Sequence, residues 1–89
     1  MEVVNGIQIR GAGLRALRHQ RRLSGAALGS QTDRTVTQVY RVENGSPTSL
    51  EFLDSLVPLF GVDAVAGLIE NDEQRATFLA AHLTNAGSE

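Results

Sequence analysis

Residues 23–45 carry the start and stop signals of two short helices joined by a turn. Ser24 can cap the first helix, because its hydroxyl can accept a hydrogen bond from a free amide of the first helical turn. This helix is expected to extend to about Thr32. Asp33 and Arg34 then form the predicted turn, since aspartate tolerates the left-handed backbone conformation better than most residues.

The second helix of the pair has a marked start and a marked end. Thr35 and Gln38 can form a capping box, in which the threonine caps the first turn and the glutamine reaches back to the threonine amide. Gly45 suits the position directly after the helix, where the backbone often turns left-handed. Val39 and Val42 are expected to face the core. The predicted outward positions are Val36, Thr37, Gln38 and Arg41.

Helical spacing of apolar residues continues on both sides of this pair. Leu14 and Leu17 predict a helix before it. Thr48 and Glu51 can form a second capping box, which predicts a further helix after it. Pro58 is expected to kink or stop that helix, because proline cannot donate a backbone hydrogen bond. Two shorter helical patterns follow towards the C-terminus, so the chain is predicted to be all-α.

The first nine residues allow two interpretations. Two short β-prone runs, residues 3–4 and 7–9, flank Asn5 and Gly6, and Asn-Gly is a dipeptide favoured in tight hairpin turns. A lone hairpin is marginally stable in water, so it would have to pack on the helices. The alternatives are therefore a short N-terminal β-hairpin and a loose N-terminal arm.

Charge is divided unevenly along the chain, whose formal net charge is −2 at pH 7. Residues 1–48 contain seven arginines and three acidic residues, a net charge of +4. Residues 49–89 contain one arginine and seven acidic residues, a net charge of −6. A basic part beside an acidic part is expected when one face of a protein meets phosphates and another does not.

Enzymatic and membrane functions are not indicated by the sequence. His19 and His82 lie far apart, neither belongs to a metal-binding or nucleophile motif, and there are no cysteines. No apolar run approaches the roughly 20 residues that span a bilayer, and the N-terminus lacks a signal-peptide pattern. We therefore expect a cytoplasmic protein that is not an enzyme, with no metal site and no cofactor.

Three short motifs follow one another without insertions: Leu14-Arg15-Ala16-Leu17-Arg18, Leu23-Ser24 and Val42-Glu43-Asn44-Gly45. A segment from Pro47 to Leu56, followed by Phe60-Gly61-Val62, completes the pattern. In these motifs and their spacing, residues 10–69 resemble the Cro/CI-type helix-turn-helix family, often called the Xre family, which includes the lambdoid phage repressors.

The resemblance implies a compact five-helix bundle of the lambda-repressor type, here with an extra C-terminal helix. It divides the chain into an N-terminal arm or hairpin (1–10), a helix-turn-helix domain (11–70), a C-terminal helix that could serve dimerisation (71–84) and a frayed tail (85–89). It also implies a transcriptional regulator, a repressor, that binds a palindromic operator in double-stranded DNA through a recognition helix at residues 36–44.

Candidate site residues follow from the resemblance together with the outward positions of the second helix. Glutamine can pair with adenine and arginine with guanine, and valine or threonine can touch the thymine methyl group. Matching positions imply a structural ion pair between Arg18 and Glu43. The predicted base-reading residues are Val36, Thr37, Gln38 and Arg41, and the predicted phosphate contacts are Ser24, Arg34, Thr35, Asn44 and Ser46.

The chain departs from the family pattern at three positions. Gly25 replaces a glutamine that many phage repressors carry, Gly29 replaces the usual alanine, and Asp33 replaces the usual turn glycine. Asp33 also brings a negative charge towards the expected DNA surface. These departures predict binding that is weaker than, or shifted from, the family norm.

Two expectations concern protein partners. Family members usually bind two half-sites as two-fold dimers, and the C-terminal part is more apolar than a bundle this small is expected to bury, so a homodimer is expected. The alternative function is a protein-interaction module on a degenerate helix-turn-helix, such as an antitoxin, anti-repressor or adaptor whose acidic C-terminal part binds a partner. The predicted dimerisation residues are Leu68, Ile69, Phe78, Leu79 and Leu83.

Overall fold

The computed structural model of the chain describes residues 6–86, with side chains described for residues 6–82. This part of the chain contains six α-helices, and its only β-structure consists of isolated bridges. None of the helices, as far as they are described, is long and apolar enough to cross a membrane. The helices are α1 (Gly11–Gln20), α2 (Gly25–Thr32), α3 (Val36–Glu43), α4 (Leu50–Phe60), α5 (Val62–Leu68) and α6 (Asp72–Ala86).

The turn between α2 and α3 follows from local backbone chemistry. Ser24 Oγ accepts a hydrogen bond from the Ala27 amide at 3.0 Å, which starts α2. Asp33 ends the helix in the left-handed conformation, with φ 60° and ψ 42°. The Arg34 amide then donates to the Gly29 carbonyl at 2.7 Å, which closes the turn.

Gly29 makes this turn compact. A Cβ atom at Gly29 would lie 2.6 Å from the Arg34 carbonyl oxygen, so a larger residue would push the turn away from α2. Glycine at this position therefore lets the backbone that leads into α3 lie directly against α2, and the departure from the family alanine has a packing cause.

All six helices contribute to one apolar core. Phe78 from α6 is buried in this core together with residues of the five earlier helices, and each fully buried large apolar side chain stabilises the fold by about 1.5–3 kcal/mol. The predicted count of five helices for the bundle is not matched, because α6 packs as a sixth member of the core. The core residues of the helices are Leu14, Leu28, Val39, Val42, Phe52, Leu53, Leu56, Phe60, Val65, Ala66, Leu68 and Phe78.

The N-terminal segment packs on the helices, and the predicted hairpin is not matched. Ile7 exchanges both of its backbone hydrogen bonds with Thr48, each at 2.9 Å, and Ile9 forms an antiparallel bridge with Ile69. Because the backbone groups of Ile7 are paired with Thr48, they are not available to a strand across the Asn5-Gly6 turn. The first run of the predicted hairpin lies outside the described residues.

The start of α4 differs from the predicted capping box. Ser49 is the N-cap, and its Oγ accepts a hydrogen bond from the Phe52 amide at 3.2 Å. Thr48 lies one residue before the cap, where its backbone pairs with Ile7. The early stop predicted at Pro58 is not seen either, because α4 continues to Phe60 and ends at Gly61, which has φ +92°.

The residues predicted for dimerisation lie mainly inside one chain. Leu68, Ile69 and Phe78 are buried in the core, so they are not exposed to a second subunit. Leu79 is half-buried and packs against the same core. Leu83 lies in α6, which the structure describes as far as Ala86, but its side chain is outside the described part of the chain.

Candidate nucleic-acid interface

The outer face of α3 is exposed at the surface, whereas its inner face packs against α1 and α2. Val39 and Val42 are buried beneath the helix and hold it against the core. On the opposite side, Thr37 and Arg41 are exposed and Val36 is 37% exposed. The four outward positions predicted from helical spacing, which also include Gln38, therefore all lie at the surface.

Arg41 is the α3 side chain best suited to reach a ligand. It is exposed, and no side chain or carbonyl group in the described residues accepts a hydrogen bond from its guanidinium. A guanidinium carries five donors in a planar fork and can pair with two acceptors at once. Arg41 can therefore recognise a planar pair of acceptors, such as O6 and N7 of guanine.

Gln38 is partly used by the protein itself. Its side-chain Oε1 accepts a hydrogen bond from the Thr35 backbone amide at 2.8 Å, and the Gln38 backbone amide donates to Thr35 Oγ1 at 3.1 Å. Pairing with adenine through both amide atoms would make Oε1 serve the base and the helix cap together. The Nε2 group remains available as a donor, so Gln38 can offer one hydrogen bond without disturbing the cap.

A groove of about 550 Å³ runs beside α3, between this helix and the start of α4. Arg41 and Gln38 line one wall, and Ser46 lies in the loop that forms its end. Glu51 lies on the α4 side and adds a negative charge near the arginines. The groove is thus polar, with donors from α3 and one carboxylate opposite them.

Arg34 lies at the base of this groove and is only partly free. Its Nη2 donates to Ser49 Oγ at 3.3 Å, and its guanidinium carbon lies 5.8 Å from the centre of the Phe52 ring. These contacts fix the arginine at the junction of the turn with α4. A half-buried arginine held in this way presents its remaining donors in a defined direction.

Three of the four other predicted phosphate contacts also have internal partners. Ser24 and Thr35 use their oxygens as helix caps, which leaves the hydroxyl hydrogen of each free to donate. Asn44 accepts a hydrogen bond from Arg15 Nη2 at 3.3 Å through its Oδ1 and keeps its amide donors. Ser46 is exposed after α3. The structure thus places donors on both flanks of α3.

A buried ion pair joins the end of α3 to α1. Arg18 Nε donates to Glu43 Oε2 at 2.6 Å, and Arg18 Nη2 donates to Glu43 Oε1 at 3.1 Å. The Glu43 side chain is 0% exposed and the Arg18 side chain 9%. Hydrogen bonding to Glu43 raises the pKa of the Arg18 guanidinium above its ordinary value, so Arg18 remains charged. The pair determines how α3 lies against α1.

Sequence reasoning missed Tyr40, the largest side chain on the surface of α3. It is 44% exposed, and its ring lies against Gly25, the first residue of α2. The available signal was helical spacing: Tyr40 is four residues from Val36, so the two share one side of the helix. The contact also explains Gly25, because a side chain there would collide with the tyrosine ring.

The described charges are distributed among the helices much as they are along the sequence. Exposed arginines lie directly before α1, on α1 and α3 or in the loop between α1 and α2, whereas α4, α5 and α6 carry exposed carboxylates. Arg75 is the one arginine of the C-terminal half, and it donates to Asp72 and to the Ile69 carbonyl. The exposed Arg41 of α3 thus belongs to the basic part of the chain, although Glu51 of α4 lines the same groove.

Two capped helices across a three-residue turn, with the second helix exposed at the surface, define a helix-turn-helix protein. A family model described as a helix-turn-helix domain matches residues 11–66, and the chain belongs to this family. The predicted resemblance to a Cro/CI-type domain is confirmed at this level. Comparison with curated proteins and with solved structures gave no significant match.

Proposed function

We propose that this protein is a sequence-specific DNA-binding transcriptional repressor that inserts α3 into the major groove of a palindromic operator. The observation that carries the proposal is the outer face of α3, which no element in the described part of the chain covers, while Val39 and Val42 anchor its inner face. This face lies within the helix-turn-helix region, in the arginine-rich half of the sequence.

The dimensions of α3 suit duplex DNA. An α-helix with its side chains is about 10–12 Å across, and the major groove is about 12 Å wide, so it accepts one helix. The eight residues of α3 span about 12 Å at 1.5 Å per residue. Such a helix can reach a few neighbouring base pairs, with its first residues deepest in the groove.

The free donors of α3 suggest that its side chains make different contacts with DNA. Arg41 reads guanine through two hydrogen bonds, and Val36 and Thr37 contact thymine methyl groups. Gln38 contributes one hydrogen bond from Nε2 while its Oε1 stays in the cap. Ser24, Arg34, Thr35, Asn44 and Ser46 contact phosphates, which position the protein and carry no sequence information directly.

Binding as a homodimer is part of the same proposal. One short recognition helix contacts few base pairs, and a two-fold dimer doubles the contact over half-sites about 34–36 Å apart. Since Leu68, Ile69 and Phe78 are buried, other surface residues would have to form the interface. We expect light scattering to show a dimer at high protein concentration or on DNA; a strict monomer in both conditions would exclude the two-fold arrangement.

The central test is Arg41→Ala. Selection from random-sequence DNA, followed by footprinting, is expected to give a palindromic site for the wild-type protein. Arg41→Ala should then weaken binding to this site by about 10- to 100-fold, because a bidentate arginine–guanine contact discriminates by about 1–3 kcal/mol. Affinity for unrelated DNA should fall much less. Fluorescence anisotropy with both DNAs measures the two affinities.

Arg21→Ala is the matched control, because Arg21 is an exposed arginine that follows α1 and lies outside α3. It removes the same charge, so it should weaken binding to specific and to unrelated DNA by the same factor and leave the ratio of the two affinities unchanged. Equal ratios for Arg41→Ala and Arg21→Ala would show that α3 does not read bases. If wild-type affinity for DNA is undetectable even at low salt, the function lies in protein binding.

A further inference from the structure

Tyr40 occupies an unusual place on the surface of α3. Its ring does not point freely into solvent but lies over the first residue of α2. A Cβ atom at Gly25 would lie 2.5 Å from Tyr40 Cε1, 2.7 Å from Cζ and 2.8 Å from the hydroxyl oxygen. Only glycine at residue 25 leaves room for the ring, so the observed position of the Tyr40 ring depends on this glycine.

Arg18 supports the ring from the side of α1. Its guanidinium carbon lies 5.9 Å from the centre of the Tyr40 ring, within the range of a cation–π contact. The donors of Arg18 bind Glu43 and the Leu23 carbonyl. Arg18 therefore serves as a fixed support for the tyrosine, and its own donors are committed inside the protein.

The Tyr40 hydroxyl is the part of this arrangement that remains free. Within the described residues no hydrogen bond engages it, although the side chain is 44% exposed. It lies at the start of α2, where Ser24 caps the amide of Ala27 and the amides of the first turn have no intrahelical partner. The positive end of the helix dipole favours an anion there.

We propose that the Tyr40 hydroxyl donates a hydrogen bond to a DNA phosphate at the N-terminal end of α2 and thereby fixes the position of α3 in the groove. The inference rests on the proposed DNA-binding function. Tyrosine hydroxyls are among the side-chain groups that contact phosphate oxygens in protein–DNA complexes. Because the donor is neutral, the contact adds affinity without releasing a further counterion.

Tyr40→Phe tests the hydroxyl alone, since the ring can keep its contacts with Gly25 and Arg18. We expect about a tenfold or greater loss of affinity, because a hydrogen bond to a charged group is lost. The loss should be similar for specific and unrelated DNA, and the dependence of affinity on salt should hardly change. Loss of an arginine–phosphate contact would instead reduce the slope of the logarithm of the binding constant against the logarithm of salt concentration by about 1.

Operator DNA with single methylphosphonate substitutions locates the phosphate. Wild-type protein should lose affinity when one particular phosphate in each half-site is neutralised. Neutralising the same phosphate should not change the affinity of Tyr40→Phe. Gly25→Ala is a second variant that displaces the ring. It should show the same loss, and the double variant Gly25→Ala/Tyr40→Phe should bind no worse than either single variant, because both remove one contact.

The outcomes separate this inference from the function on which it rests. If Tyr40→Phe binds DNA with wild-type affinity and shows the wild-type methylphosphonate profile, the tyrosine contact is overturned and the DNA-binding function remains intact. Failure of the wild-type protein to bind DNA would overturn both. Thermal unfolding of Tyr40→Phe near the wild-type midpoint is the check that an affinity loss arises from the hydroxyl and not from misfolding.

Discussion

Replacing Glu43 by alanine is expected to lower the free energy of unfolding by about 3–5 kcal/mol, because the change leaves a buried guanidinium without its counter-charge. Arg18 binds Glu43 through two hydrogen bonds, and the Glu43 side chain is completely buried. Small domains are stable by only about 5–15 kcal/mol, so the variant should be close to unfolding. Urea titration followed by circular dichroism measures the change.

Arg15→Ala is the control for this prediction, because Arg15 binds the same carboxylate from the surface. Its Nε lies 3.4 Å from Glu43 Oε1 and its side chain is 50% exposed, so its loss should cost at most about 1 kcal/mol. Replacing both members of the buried pair, as in Arg18→Met/Glu43→Leu, should recover much of the stability that Glu43→Ala loses.

A loss no larger for Glu43→Ala than for Arg15→Ala would contradict the role assigned to the buried pair. It would mean that α3 is held against α1 by apolar packing alone. In that case Glu43→Ala should also leave DNA binding unchanged at temperatures where the protein is folded.

Gly11→Ala is expected to destabilise the protein by about 1–3 kcal/mol or more, the usual cost of forcing atoms into a packed interior. Gly11 begins α1 directly against the end of α3. A Cβ atom there would collide with the backbone of Glu43 and lie 2.7 Å from the Val42 carbonyl oxygen. Backbone atoms cannot rotate away as a side chain can, so α1 and α3 would have to separate.

Gly67→Ala is the matched control for Gly11→Ala. Gly67 is also a helical glycine, but a Cβ atom there would meet nothing within 4 Å. Since alanine favours a helix over glycine by about 1 kcal/mol, this variant should be as stable as the wild type or slightly more so. Equal thermal midpoints for the two variants would show that α1 and α3 do not pack as closely as described.

The helix-turn-helix could be predicted from the sequence because its signals are local. Ser24 with Ala27, and Thr35 with Gln38, form caps between residues three positions apart. Such hydrogen bonds form whenever the segment is helical, whatever surrounds it. Helical spacing likewise predicts that Val39 and Val42 face inward and the candidate base-reading residues outward.

What those outward residues are free to do could not be predicted, because it depends on neighbours. Gln38 is the exception: a backbone N–H can bond only its Oε1, so the capping box visible in the sequence already implied that this atom is occupied. Arg34 is engaged by Ser49 and Phe52 from α4, and no local pattern indicates that contact. The candidate site was thus predictable as a set of positions but not as a set of available donors.

By itself, the sequence determined the helices, the turn and the outer face of α3, since each depends on hydrogen bonds and spacing within a few residues. Only the tertiary structure decided how distant segments meet. Ile7 pairs with Thr48, so the second run of the predicted hairpin is bonded to another part of the chain, and α4 is capped one residue later than predicted. Tyr40 lies on Gly25 because α2 and α3 cross at that point. Such contacts depend on the packing of the whole core, which local patterns do not encode.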